Sequence, residues 1–353
     1  MSLTAETEPS RDALLAAVSR LTGWEAVRLE RIGGGRNSQV YRVSDAGLNQ
    51  VAVKVYFRHA TDSRDRLATE FDSLSFLWRS GFRDIPQPVA ADPESNLAVY
   101  EYVEGEKIGS NGPDTRDLDF AIEFLGRLRA LSRLPESQKV GVASEACFSA
   151  RNVVENIQWR LGRFSGCVEG IAISELRTFL ADEFVPAWER VVRWSQSHLE
   201  RAGMSFEAEL GPVQRTLSPS DFGFHNALRR ADGRMIFLDF EYFGWDDPAK
   251  MIVDFLLHPG MRMVPELKRR FTQGVLSHFP DVPGLLRRVE VMYPLFGLKW
   301  CLILLNEFLP ESLLRRQFAV ALDRDPSDHR RQQLDKAKQM LMRISQEYER
   351  FPY

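Results

Sequence analysis

The sequence predicts an α+β chain of two lobes, a small antiparallel β lobe carrying one helix and a larger, mostly helical lobe. Three observations point there. Period-two apolar alternation, punctuated by turn residues, dominates the chain up to Tyr102. Three- and four-residue apolar spacing dominates the remainder of the chain. A single pair of short strand-like runs, turned by Ala231-Asp232-Gly233, interrupts the helical half. At 353 residues the chain is long enough for two such bodies.

Taken in order, Ser10 followed by Leu14, Leu15, Val18, Leu21 and Gly23 reads as a capped helix with a glycine stop. Strands are expected at 27–32 and 39–43, separated by Gly33-Gly34-Gly35-Arg36-Asn37-Ser38. A third strand at 51–56 sets Val51, Val53 and Val55 on one face and Ala52, Lys54 and Tyr56 on the other. Leu67, Phe71, Leu74 and Trp78 then mark a helix ended by Gly81, and strands come next at 86–91 and 96–102. Residues 101–107 read as the linker to helical patterns at 118–134, 150–163, 173–201, 265–279 and 285–309. One hairpin, 226–229 with 235–240, is expected among them, and Asp247-Pro248 reads as the cap and first turn of a further helix. The polar segment from 325 to 353 is expected to hold a surface helix over 326–348.

Composition removes several classes of function. The charged fraction of 27%, the net charge of −3 and the absence of a basic run argue against a nucleic-acid partner. Cys147, Cys167 and Cys301 show no Cys-x-x-Cys pairing, so buried free thiols in a reducing compartment are expected. The N-terminus has no basic start followed by an apolar run, and 293–305 contains Lys299, so it is read as a core helix. No membrane partner and a cytoplasmic location are the resulting expectations.

The chemistry concentrates in two strings, Ser220-Asp221-Phe222-Gly223-Phe224-His225-Asn226 and Leu238-Asp239-Phe240-Glu241. A carboxylate, an amide five residues on and a second carboxylate beyond the next apolar run suit phosphoryl transfer. Asp221 could accept a hydroxyl proton, while Asn226 and Asp239 could hold Mg2+ against nucleotide phosphates. Gly34, Gly35, Asn37 and Ser38 sit in a loop followed by a strand rather than a helix, without a Gly-Lys-Ser/Thr ending. That favours a strand-loop-strand flap over phosphates, with Asn37 and Ser38 at its tip. Lys54 reads either as a snorkelling edge lysine or as a contact to the α and β phosphates, with Ala52 leaving room for adenine. Glu70 can pair with Lys54, or be a solvated helix glutamate. His225 is read as a turn histidine satisfying local backbone; His59, His198, His258, His278 and His329 are read as structural or surface residues.

The two strings resemble the aminoglycoside phosphotransferase and choline kinase family of protein-kinase-like small-molecule kinases. The family string His-Gly-Asp-x4-Asn is met by Asp221 and Asn226, with Pro219 and Ser220 replacing the His and Gly. The family metal string is met by Asp239, Glu241, Gly244, Asp247 and Pro248, and the similarity runs from about Leu29 to about Pro310. The resemblance implies a protein-kinase-like two-lobe fold, with 1–103 as a nucleotide-binding lobe and 104–353 as a catalytic and acceptor-binding lobe. It implies ATP and Mg2+ as cofactors and phosphorylation of a hydroxyl on a small-molecule acceptor, an amino alcohol, an amino sugar or a sugar. The segment carrying Glu101 and Val103 resembles the linker strand that meets the adenine edge. Trp245, Tyr293, Trp300, Asn306 and Glu307 lie in segments that shape the acceptor pocket in relatives. Glu241, Asp246, Glu307 and Trp300 are the candidates for an amine-bearing acceptor, since carboxylates and ring faces attract cations. A nucleotide-binding pseudokinase with a scaffold role is the alternative, and retention of Lys54, Asp221, Asn226 and Asp239 weighs against it.

Overall fold

The computed structural model describes residues 10–35, 37–57, 64–109, 112–166, 171–309 and 326–353. Arg36, His59, Cys167 and the polar segment before Ser10 lie outside them. In chain order come α1 (Arg11–Thr22), β1 (Arg28–Gly34), β2 (Ser38–Ser44), β3 (Gln50–Tyr56), α2 (Arg66–Arg79), β4 (Pro88–Asp92), β5 (Leu97–Glu101), β6 (Glu106–Lys107), α3 (Thr115–Leu131) and α4 (Ala150–Gly162). Next are α5 (Ile171–Thr178), α6 (Val185–Arg201), β7 (Thr216–Ser218), β8 (Ala227–Arg229), β9 (Met235–Phe237), β10 (Gly244–Asp246), α7 (Pro248–Leu257), α8 (Pro265–Leu276), α9 (Leu285–Leu304) and α10 (Pro326–Glu347). They divide into two units, and the division differs from a single cut after Val103. The first unit runs to Gly109 and also takes Asn226–Phe243.

In the first unit β1 to β5 form a five-stranded antiparallel sheet in the order β1-β2-β3-β5-β4. The valine face of β3 packs under α1, where Leu14, Ala17 and Val18 meet Val43, Val51, Val53, Val55 and Val99. Val43, Val53 and Val99 are fully buried, each contributing about 1.5–3 kcal/mol relative to exposure. Helix α1 starts where the Ser10 side chain accepts a hydrogen bond from Ala13 N and stops at Gly23, as its sequence signals require. The first hairpin is tighter than expected. Gly33 and Gly34 stay in the ladder opposite Val40 and Gln39, after a bulge between Arg31 and Gly33. The same unit holds a three-stranded sheet, β6-β8-β9, because the expected 226–240 hairpin gains a third strand from the linker.

The second unit is helical except for β7 and β10. These pair antiparallel, Gly244 opposite Ser218 and Asp246 opposite Thr216, which corrects the expectation of a single hairpin. Three-residue strands joined across a long stretch of chain leave no alternation to read. The helix expected over 173–201 is interrupted by a π-helical turn, Phe179–Phe184, just before Pro186. A proline lacks the N–H for a regular α-helical bond, which is one recognised cause of such irregularity. Helix α9 is buried at almost every position, including Tyr293, Phe296 and Leu298. With the following turn it is long and apolar enough to cross a membrane, yet 78% of its 18-residue apolar window is buried inside the protein. The last helix is not a surface helix only: Leu334, Ala337, Leu341 and Ile344 are buried, and Cys301 Sγ donates to Ala337 O. Cys147 and Cys301 are buried thiols, as expected.

Gly244 shows how tightly the small sheet is fitted. A Cβ there would lie 2.4 Å from Ala143 N and 2.6 Å from Gly141 O. The backbone cannot retreat, because Ala143 N donates to Trp245 O and Trp245 N donates to Gly141 O, at 3.0 and 2.9 Å. Gly244→Ala is therefore expected to lower stability by about 1–3 kcal/mol, read as a reduced urea midpoint with an unchanged slope.

Candidate active site

The first unit brings the buried Lys54, Glu70 and Glu241 together with the half-buried Asp239. The Lys54 side chain, opposite the valine face of β3, donates to Glu70 Oε2 on α2 and to Asp239 Oδ1, both at 2.6 Å. Lys54 is 7% and Glu70 3% exposed, which removes the reading of either as a solvated surface residue. Burial alone would push the Lys54 ammonium down, but Asp239, Glu70 and Glu241 hold it well above its usual range, so it stays charged. The Tyr56 hydroxyl donates to Glu70 Oε2 at 2.9 Å and lies 2.8 Å from the Tyr100 hydroxyl. Phe240 N completes the carboxylate's contacts at 3.3 Å. Asp239 has φ of +67°, a left-handed conformation that a non-glycine residue keeps only when its surroundings enforce it.

Glu241 is 4% exposed. Burial, and then the neighbouring Asp239 charge, push its carboxyl up to about 7. Asn37 Nδ2 donates to Glu241 Oε1 at 2.7 Å and to the Tyr242 hydroxyl at 2.9 Å, and Arg66 Nε lies 3.6 Å from the same carboxylate oxygen. Asn37 thus turns into the unit rather than presenting an open tip. Ser38 is likewise 5% exposed inside β2, a correction to its expected place at the loop tip. Gly34 lies at the end of β1 at φ 152°, and Gly35 N donates to Ser38 O across the turn. Ala52 is half-buried opposite Tyr100 and Arg42. Glu101 accepts from Arg230 and from Gln87 N, Val103 is buried, and Asn226 O accepts from Leu238 N at 2.8 Å.

The second unit carries Asp221, about a third exposed, with two imidazoles beside it. His225 Nε2 lies 3.1 Å and His258 Nε2 3.8 Å from Asp221 Oδ1. The two rings stack at 3.6 Å, 12° from parallel. His225 therefore does not satisfy local backbone, which corrects that expectation, while His258 is structural, the first of the two readings its sequence allowed. Nothing in a one-dimensional pattern signals the pairing, since His258 belongs to the turn after α7 and meets Asp221 only through the tertiary fold. Ser220, at φ +67°, stands where the family string has glycine, the residue that adopts such a φ without cost. Its Oγ accepts from the buried Lys250 Nζ at 2.9 Å, and Lys250 also binds Asp246 at 2.7 Å and Asp254 at 3.1 Å. Asp246 is thus consumed by an internal ion pair and is not available to an acceptor.

Trp300 Nε1 donates to Asp254 Oδ1 at 3.1 Å, and the ring meets His258 edge-on at 4.8 Å, so it joins the Asp221 group. Glu307 does not extend that group among the contacts described: its carboxylate lies 3.8 Å from His329, and its carbonyl accepts from Arg330. Asp247 caps α7 by accepting from Ala249 N and is held by Arg288, a structural role as its sequence context indicated.

An antiparallel sheet with one long helix pairing a buried lysine, and a helical unit presenting an aspartate loop, make a protein-kinase-like two-lobe fold. The phosphotransferase enzyme family matches residues 28–280, and the chain belongs to that family. Among solved structures, choline kinase from Cryptosporidium parvum Iowa II is similar at 12% identity, covering 95% of this chain and 96% of that one with a TM-score of 0.61. A spectinomycin phosphotransferase in complex with ADP and spectinomycin shares 11% identity over 99% of each chain, TM-score 0.60. Ethanolamine kinase from Plasmodium vivax shares 14% identity over 96% of this chain and 92% of that one, TM-score 0.59. At such identities the likeness establishes the fold. No curated protein matches the sequence.

Burial, followed by the facing His225, pushes His258 down to about 4 from an ordinary value of 6.5. The folded protein thus keeps His258 neutral where the unfolded chain would protonate it, so this contribution is full above about 6.5 and lost as pH falls toward 4. Thermal unfolding from pH 7.5 to 4.5 is expected to show a smaller drop in Tm for His258→Gln than for the parent. An equal drop in both proteins would remove His258 from the acid sensitivity.

Proposed function

We propose that the chain is an ATP- and Mg2+-dependent kinase that phosphorylates a hydroxyl of a small amine-bearing metabolite, an amino alcohol or amino sugar. The carrying observation is the buried Lys54 held between Glu70 and Asp239 at 2.6 Å each, a charged donor fixed in place and poised for phosphate oxygens. Carboxylates gather beside it: Glu70, Asp239 and Glu241 can bring one oxygen each within 4.8 Å of one another, and Asn37 Oδ1 is buried without a partner among the described residues. Such a set fits a hard cation, and Asp239 with Asn226 would hold it. Bound Mg2+ would neutralise charge on the phosphates.

Asp221 receives the proton of the acceptor hydroxyl. The hydroxyl oxygen bonds to the γ-phosphorus, the bond to the β,γ-bridging oxygen breaks, and its electron pair leaves with ADP. Lys54 steadies the remaining phosphate charge throughout. The acceptor class is supported by the relatives named for choline and ethanolamine, both amino alcohols.

A screen of purified protein with ATP against amino alcohols, amino sugars, polyols and anionic controls tests the reading, and turnover confined to polyols or to anionic acceptors would overturn the acceptor class. Asp221→Asn should lower kcat by about 10²–10⁴-fold while nucleotide affinity stays within a few-fold. Asp239→Ala should abolish Mg2+-dependent ATP binding by calorimetry. Lys54→Ala should cost at least about a hundredfold in kcat/KM; parental activity in that variant would sink the assignment of the buried lysine.

A further inference from the structure

The ligand atoms of Asp221, His225 and His258 can all lie within 4.8 Å of one another, a grouping that invites a metal. Hydrogen bonding points elsewhere. Gly260 N donates to His258 Nδ1 at 3.1 Å, so that nitrogen is an acceptor and the proton of the neutral ring sits on Nε2, the atom facing Asp221. A cation at Nε2 would require the proton to move to Nδ1, where it would confront the Gly260 N–H.

His225 gives the same answer by a different route. Its Nδ1 is buried with no partner among the described residues, while its Nε2 lies 3.1 Å from Asp221 Oδ1. A proton on Nδ1 would leave a buried donor unpaired and aim a lone pair at a carboxylate. With the proton on Nε2, only a lone pair is left unpaired and the other nitrogen makes a charge-assisted hydrogen bond.

We infer that His225 and His258 are positioning residues for Asp221, a stacked pair that turns both Nε2–H groups toward Oδ1 and fixes the carboxylate's orientation. The inference rests on the reading of Asp221 as the base. His225 makes the hydrogen bond. His258, at 3.8 Å, is beyond hydrogen-bond length and acts by holding the His225 ring face to face and by directing its N–H dipole at the same oxygen. The surroundings are shaped to that end. A Cβ at Gly223 would lie 2.8 Å from His225 Nδ1, and one at Gly260 would lie 3.0 Å from His258 Cε1 and 3.2 Å from His225 Cβ. Trp300 closes the outer edge of His258. Burial and the facing ring keep the His258 ring neutral.

The test separates this inference from the one beneath it. Turnover is measured with ATP and the best acceptor of the screen for His225→Leu, His225→Gln and His225→Asn and the three matching His258 variants, each also in the Asp221→Asn background. A glutamine amide can reproduce an Nε2 donor and an asparagine amide cannot. The leucine variants should lose up to about a hundredfold in kcat, the effect of a misplaced reacting group, with KM for ATP unchanged. Glutamine should restore most of the loss, and in the Asp221→Asn background none of the variants should lose more. Parental kcat in the leucine variants, or losses that persist unchanged without Asp221, would overturn the positioning role while leaving Asp221 as base. An active Asp221→Asn would instead overturn the base itself. Should the leucine variants fail to fold, 15N spectra of the histidine-labelled parent decide: neutral rings protonated on Nε2 support the pair, and Nδ1-protonated rings refute it.

Discussion

The ammonium of Lys54 is the point on which the first unit depends. It ties β3, helix α2 and the loop after β9 through two 2.6 Å contacts, one to the buried Glu70 and one to the half-buried Asp239. Such a group is not a large net source of stability, because removing charges from water cancels much of their attraction. The asymmetric member is the lysine: without Glu70 or Asp239 it keeps one partner, whereas without Lys54 the two carboxylates lose the cation they share. Tyr56 and Phe240 N absorb remaining acceptor capacity of Glu70, and Asn37 and Arg66 do the same for Glu241.

A second constraint is backbone strain set at the chemistry. Among the described residues the non-glycine positions with positive φ are Asn96, Ser220 and Asp239, and such a conformation costs roughly 1–2 kcal/mol each. Asn96 is eased by its own side chain, which donates to Tyr56 O at 2.6 Å. Ser220 is held from both sides, its N donating to Ser218 Oγ and its Oγ accepting from Lys250. Asp239 is held by Lys54. The chain spends conformational energy where side-chain direction matters, and buried charges keep it there.

Locality decided how much could be read before the structure. The five-stranded sheet, helices α1 and α2 and the cap at Asp247 rest on alternation, helical spacing and single capping residues, all legible within a few positions. Lys54, Glu70 and Asp239 could be named because their chemistry limits the residue types allowed. The imidazole pair could not, since neither histidine has a neighbour in sequence that betrays it. The fate of Asp246 was equally hidden: an acidic residue beside a string of interest looks available until the buried Lys250 is found four residues along the same turn of chain. Ser220 signalled a departure without its remedy, because the lysine that supports it is contributed by a later helix.

The first unit is assembled from chain pieces made at different times. Its sheet is complete in the polypeptide by Glu101, yet the partner of Lys54 at Asp239 is added only after all of α3 to α6 and β7 to β9 have been synthesised. At ribosomal rates that interval is on the order of ten seconds. Until then Lys54 has Glu70 but not Asp239 to pair with. A fragment ending at Glu101 would keep the sheet's strands and lack that partner.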